Sequence, residues 1–297
     1  VKPIILAMPG SARMASAIAL YLQTDVAMPT VRAFPDGETY LRIDRAFEGR
    51  PVAIVDTLSR PDAKFLPLVF AADAARDLGA SKVGLVAPYL AYMRQDRRFE
   101  PGEAITSRSV ARLISGSFDW LVTVDPHLHR YKSLSEIYTI PAQALHATDL
   151  MGAWIRANVE NPFLIGPDEE SLQGVRDVAR IADAPFTVLQ KTRLGDRDVE
   201  TRLRDPVDLT ERTPVLVDDI ISSGETMLEA LRLVKSSSPN QPVCVAVHGI
   251  FADQSDVRLQ AEGAYLVTSN TIAHPSNAID ASDLLAAAIA QIADAKT

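Results

Sequence analysis

Short apolar runs alternate with longer amphipathic stretches along this chain. Residues 4–8, 52–55, 83–86, 121–124, 163–165, 215–217 and 243–247 are apolar at nearly every position and rich in Val, Ile and Leu. Runs of that length read as strands buried on both faces. Apolar positions recurring every three or four residues predict helices over 14–22, 63–78, 105–114, 150–157, 172–181 and 226–234. The alternation predicts an α/β fold of mostly parallel sheets flanked by helices, in which ligands bind beyond the carboxyl ends of the strands. Polar or charged residues follow four of those ends, at 89–98, 125–129, 168–171 and 218–224.

A chain of 297 residues with 47% hydrophobic content can bury a large core, and its length favours two domains over one. The stretch 140–148 is the expected crossing, giving domains over 1–143 and 144–279. The alanine-rich tail 281–293 predicts a last helix within 280–295, capped by Ser282 or Asp280 and packing back on the first half. Thirty Lys and Arg against 38 Asp and Glu leave a net charge of −8, which argues against a general nucleic-acid or membrane surface. The single cysteine, Cys244, lies in an apolar run and reads as a small core residue in a reducing compartment. No leader pattern and no apolar run near the ~18 residues of a membrane span is present, so the expected location is cytoplasmic. Walker loop, HExxH, CxxC and GxSxG patterns are absent.

The segment 214–227, PVLVDDIISSGETM, carries the sharpest chemistry. An apolar strand ends at Val217 and delivers Asp218 and Asp219, after which Ser222, Ser223, Gly224 and Thr226 open a helix. Free N–H groups at a helix start, small hydroxyl residues and a glycine suit a phosphate monoester, and adjacent carboxylates suit vicinal hydroxyls. Together they point to a sugar phosphate, most simply ribose 5-phosphate. A solvated turn is the plainer reading of the acidic pair.

Four further constellations have similar double readings. FPDGE at 34–38 is a turn when taken alone, yet Phe34 and Glu38 fit a nucleobase face and its exocyclic amine. YLAYMRQDRR at 89–98 is either a solvated charge cluster or an anion site, with Arg94 and Gln95 as nucleotide contacts. DPHLH at 125–129 lacks the further ligands zinc needs, and a histidine beside a magnesium nucleotide is the better reading. Asp168 suits magnesium or its bound water, or else a helix start. KTRLGDRDVETRLR at 191–204 holds five cations and three acids and reads as an exposed hairpin or flap. From it Lys191 and Arg193 could fold over a polyphosphate and stabilise the charge that grows during transfer.

Taken in order, FPDGE, YMRQDRR, VTVDPHLH, GPDEE, KTR and VLVDDIISSGET resemble the successive signatures of the ribose-phosphate diphosphokinase family. The resemblance implies two phosphoribosyltransferase-like domains, an ATP side and a ribose 5-phosphate side. It also implies magnesium-dependent transfer of the β,γ-diphosphoryl group of ATP to the ribose 1-hydroxyl, with AMP released. Residue by residue, it makes Phe34, Asp36 and Glu38 adenine contacts that reach a neighbouring subunit, hence a homo-oligomer that is at least a dimer. Arg94, Gln95 and Asp96 bind ATP on this reading, and His127 and Asp168 hold the magnesium nucleotide. Lys191 and Arg193 match the catalytic loop. Asp218 and Asp219 take the ribose hydroxyls, and Ser222, Ser223, Gly224 and Thr226 take the 5-phosphate.

Three departures from the family pattern stand out. Ser222 and Ser223 replace the common Asp-Thr, and the usual glycine pair is absent at Glu170 and Ser171. Pro101 and Gly102 stand where phosphate-activated members carry Ser-Arg, which implies an unregulated subclass. Two other functions compete with this one: a phosphoribosyltransferase that consumes phosphoribosyl diphosphate, and a catalytically silent regulatory paralogue. The first leaves the nucleotide-side motifs of the first half unexplained, and the second leaves unexplained the retention of Lys191, Arg193, His127, Asp218 and Asp219.

Overall fold

The computed structural model describes the chain apart from residues 194–198, 205–206, 236 and 295–297, and for 191–193, 199–201 and 294 it describes the backbone alone. Two compact units form, one from Val1–Leu145 with Ala281–Thr297 and the other from His146–Asp280.

The first unit contains β1 (Ile4–Ala7), α1 (Ala12–Leu22), β2 (Val26–Ala27), β3 (Thr30–Ala33), β4 (Thr39–Arg42), β5 (Val52–Val55), α2 (Asp62–Asp77), β6 (Val83–Ala87), α3 (Thr106–Ser117), β7 (Trp120–Val124) and β8 (Ala142–Leu145). Six of its strands make one parallel sheet in the order β2-β1-β5-β6-β7-β8. Every residue of β1, β5, β6 and β7 is buried, as the unbroken apolar runs require of a sheet covered on both faces. Alternate positions such as Ile4, Leu6, Val52, Ile54 and Leu85 join Leu68, Ala72 and Ile114 of α2 and α3 in one core. The chain runs from β1 outward to β2 and then returns to the other side of β1 as β5. The crevice where strand order reverses therefore lies between β1 and β5.

The second unit contains α4 (Thr148–Asn158), β9 (Pro162–Gly166), α5 (Leu172–Ala182), β10 (Phe186–Arg193), β11 (Val199–Leu203), β12 (Thr213–Ile221), α6 (Glu225–Lys235), β13 (Val243–Gly249), α7 (Ser255–Ala261), β14 (Tyr265–Ser269) and β15 (Asn277–Ile279). Its sheet runs β11-β10-β9-β12-β13-β14-β15, and only the β10–β11 pair is antiparallel. Met227, Leu228, Leu231 and Val234 put the apolar stripe of α6 against Leu216, Cys244 and Leu266. Here the reversal of order falls between β9 and β12. The last helix, α8 (Ser282–Asp294), belongs to the first unit and packs on α1, β7 and β8.

The predicted strands and helices all form, with one correction of consequence. The strand expected to stop at Val217 continues to Ile221, because Asp218 and Ile220 keep their places opposite Ala246 and His248. Ladder hydrogen bonds come from the backbone, so carboxyl side chains do not end a strand that has neighbours on both sides. Asp218 and Asp219 thus stand within β12, and Ser222 is the first residue beyond it.

Candidate functional site

In the second unit β12 lies between β9 and β13, so its carboxyl end opens at the reversal point of the sheet. Asp218 and Asp219 are half-buried there, and the Asp219 N–H donates to Asp218 Oδ1 at 2.9 Å. Asp168, two residues past the end of β9, accepts from the Ser171 N–H at 3.0 Å and is also half-buried. Loss of water drives the Asp218 carboxyl well above the usual carboxylate range. The neighbouring carboxylates of Asp219 and Asp168 push in the same direction, and the Asp219 N–H opposes them. The end of β12 therefore carries an Asp218 carboxyl crowded by two neighbouring carboxylates, oxygen acceptors suited to hydroxyl donors.

Beyond β12, Ser222, Ser223 and Gly224 lead into α6, whose first N–H groups have no partner within the helix. Gly224 has φ +74°, and a Cβ there would lie 2.8 Å from Ser255 Cβ, so the position requires glycine. The loop and the two acids together offer amide donors beside carboxylate acceptors.

Lys191 and Arg193 occupy β10, where they pair with Thr201 and Val199 of β11. The hairpin expected over 191–204 is present as this antiparallel ladder, and residues 194–198 lie outside the described residues.

In the first unit FPDGE forms the turn of the β3–β4 hairpin. The Phe34 N–H donates to Glu38 O at 2.7 Å, the Gly37 N–H to Phe34 O at 2.9 Å, and the Glu38 N–H to Asp36 Oδ1 at 3.2 Å. The Arg32 guanidinium lies over the rings of Phe34 and Tyr40, at 4.9 and 4.2 Å. The motif is thus a turn, and Phe34 keeps 39% of its surface exposed.

Arg94 is exposed and Gln95 half-buried in the loop after β6, whereas Asp96 is buried. Arg130 Nη1 donates to both Asp96 oxygens, at 2.9 and 3.1 Å, and the Tyr131 hydroxyl donates to Asp96 O at 3.2 Å. Asp96 thus clamps the loop after β6 to the loop after β7. Arg130 was not singled out by sequence reasoning, and the strand-end position it shares with His127 was its only signal. The His127 and His129 ring centres lie 3.8 Å apart with the planes tilted by 46°, His127 half-buried and His129 exposed.

One buried cluster escaped the sequence reading. Asp56, directly after β5, accepts from Ser11 Oγ at 3.1 Å and has Lys64 Nζ at 3.6 Å. Lys64 also donates to Thr57 O at 2.6 Å. Burial raises the Asp56 carboxyl to about 6, against the opposing pull of Lys64 and Ser11. A lone acid after a strand was the available signal, the same one that marked Asp125 and Asp168.

Residues 3–117 match the model of the N-terminal domain of ribose phosphate pyrophosphokinase, and residues 133–284 match that of the phosphoribosyl transferase domain. A ribose-phosphate pyrophosphokinase of Methanopyrus kandleri is 33% identical over 290 residues, spanning 96% of this chain and 98% of its own. That of Methanosarcina acetivorans is 33% identical over 286 residues, with the same shares covered. The crystal structure of phosphoribosylpyrophosphate synthetase from Mycobacterium smegmatis shares the fold, with TM-score 0.82 at 24% identity over 98% of this chain and 99% of that one.

Proposed function

Because this chain belongs to the ribose-phosphate pyrophosphokinase family, we propose that it transfers the β,γ-diphosphoryl group of ATP to the 1-hydroxyl of ribose 5-phosphate. The products are 5-phosphoribosyl 1-diphosphate and AMP. The observation that carries the sugar side is the pairing of Asp218 and Asp219 with the Ser222–Gly224 loop at the reversal point of the second sheet. There the acids accept from the ribose hydroxyls, while the loop amides, Ser222, Ser223 and Thr226 take the 5-phosphate.

On the nucleotide side, Phe34, Asp36 and Glu38 receive adenine, and Arg94 and Gln95 bind the phosphates. Asp96 acts by fixing the loop that carries them, through Arg130. Phe34, exposed on its hairpin, suits an adenine bound to a second copy of the chain, so the working form is a homo-oligomer of at least two subunits. Magnesium is the cofactor, with His127 and Asp168 as proposed ligands, and when bound it neutralises charge on the polyphosphate. Lys191 and Arg193 stabilise charge that grows on the transferred group, and holding both substrates for in-line attack at the β-phosphorus supplies most of the rate. No helix among the described residues is long and apolar enough to cross a membrane, and the proposed location is the cytoplasm.

Incubation with ATP, ribose 5-phosphate and magnesium, with AMP measured by chromatography, tests the reaction, and absence of AMP sinks it. Running it with and without inorganic phosphate tests the unregulated subclass. Lys191→Ala is expected to lower the turnover number by about 100- to 1,000-fold, by analogy with loss of a single transition-state donor. An unchanged turnover number removes Lys191 from the catalytic residues.

A further inference from the structure

We propose that Ser255 and Arg258 are positioning residues that tie back the carbonyls of the Ser222–Gly224 loop, so that its amides face a phosphate. The inference rests on the sugar-phosphate reading given above. Three consecutive carbonyls of this loop are held by one neighbouring segment. Ile221 O accepts from the N–H groups of Ile250 and Phe251 at 3.0 and 3.1 Å. Ser222 O accepts from Ser255 Oγ at 2.7 Å, and Ser223 O has Arg258 Nη1 at 3.5 Å.

In a trans peptide the C=O of one residue and the N–H of the next point in opposite directions. Holding the carbonyls of residues 221, 222 and 223 toward one side therefore turns the N–H groups of Ser222, Ser223 and Gly224 toward the other. That is the orientation an anion cradle needs, and it does not arise from the loop's own sequence.

The segment that does the holding is built for close approach. Ser255 is fully buried, and only the missing Cβ of Gly224 lets it come so near. Arg258 is held in turn by Glu225, the first residue of α6, at 2.7 Å, which lowers the Glu225 carboxyl below its usual range. The chain reaches Ser255 through three non-glycine residues in the left-handed region, Phe251 at φ +50°, Asp253 at +54° and Gln254 at +56°. Such conformations persist only where the surroundings enforce them, and they gather at ligand sites.

Calorimetry and steady-state kinetics on the full chain test the idea with Ser255→Ala and Arg258→Ala. Arg258 is exposed enough that its loss leaves folding intact. Ser255→Ala is expected to raise Kd and KM for ribose 5-phosphate about 10-fold, the worth of one well-made hydrogen bond. Arg258→Ala is expected to raise them about threefold, in keeping with its longer contact. KM for ATP stays within twofold in both, a split that a general loss of structure does not produce. Unchanged sugar-phosphate binding, or an equal loss for ATP, overturns the proposal. Inorganic phosphate serves as a probe that does not depend on the reaction. If the native chain binds it but forms no AMP, the proposed function fails, and weaker phosphate binding by Ser255→Ala still upholds the brace. If the native chain binds neither phosphate nor ribose 5-phosphate, the brace falls as well.

Discussion

Both sheets reverse strand order once, and acids stand at that point in each unit. In the first, Asp56 follows β5, next to Ser11 after β1, and in the second Asp218 and Asp219 lie on β12, next to Asp168 after β9. Their surroundings differ in sign. Asp56 has a lysine and a hydroxyl that favour its charge, both from the unit itself, although burial still outweighs them. Asp218 has two more carboxylates that disfavour its charge. One topological position thus serves two ends: a compensated acid there is architecture, and an acid crowded by acids calls for a cation or hydroxyl donors from outside.

The largest effect expected from this contrast is that of Asp218→Asn. It replaces one acceptor oxygen by an amide N–H that faces the ribose hydroxyls, and kcat/KM for ribose 5-phosphate should fall about 1,000-fold, a lost hydrogen bond to a charged group plus a desolvated donor left unpaired. Removing a crowded charge should at the same time raise the thermal midpoint. A variant that loses activity and stability together would place Asp218 among the structural acids and erase the distinction.

Asp56→Asn is the matching change in the first unit, and its effect should be on stability alone. The folded carboxyl sits at about 6 against an ordinary 3.8, so between those values the unfolded chain gives up a proton that the folded chain keeps. Stability therefore falls as pH rises from about 4 to about 6 and stays level above, by about 3 kcal/mol in all. Asparagine keeps an oxygen for Ser11 and carries no charge, so this slope should vanish and the variant should be the more stable protein at pH 7. Urea unfolding at pH 4, 5, 6 and 7 reads the slope directly, and a variant with the native slope would refute the assignment.

The fold was largely legible because strands buried on both faces announce themselves as unbroken apolar runs, as in Val52–Val55. Where a strand carries another pattern the signal fails. The β3–β4 hairpin only half-buries Val31 and Leu41 and so lacks an unbroken apolar run, and β12 has two acids among its last four residues. The site was legible in its residue types and not in its partners. Nothing near Asp96 in sequence announces Arg130, and nothing near Ser222 announces Ser255, since both contacts are made only when separate strand ends meet. Asp56 went unnoticed for the same reason: an acid followed eight residues later by Lys64 is an ordinary helix-start pattern until the lysine is seen to reach a buried carboxyl.

Magnesium should distinguish Asp168 from Asp56 without any change in the reaction. A cation that binds only the folded chain stabilises it by about 2.7 kcal/mol at 100 times its Kd. Raising magnesium in the absence of nucleotide should therefore lift the thermal midpoint of the native chain and of Asp56→Asn, but not that of Asp168→Asn. An equal lift in all three would mean that Asp168 does not hold the cation.

The smallest effect is the most direct probe of compensation. Lys64→Met takes the cation from Asp56 and makes the first crevice resemble the second in charge. Without Lys64 the carboxyl should move above its present value of about 6, because the pull that opposes burial is gone. At pH 8 the variant then keeps a buried carboxylate without its cation, at a cost of about 1 kcal/mol, the upper end for a pair of which one member still reaches solvent. At pH 5 the native carboxyl is already mostly protonated, and only the bond from Lys64 to Thr57 O is lost. The difference between the two pH values isolates the ion pair from the hydrogen bond. Equal costs at pH 5 and pH 8 would show that Lys64 holds the loop through Thr57 alone and that Asp56 is carried by burial and Ser11.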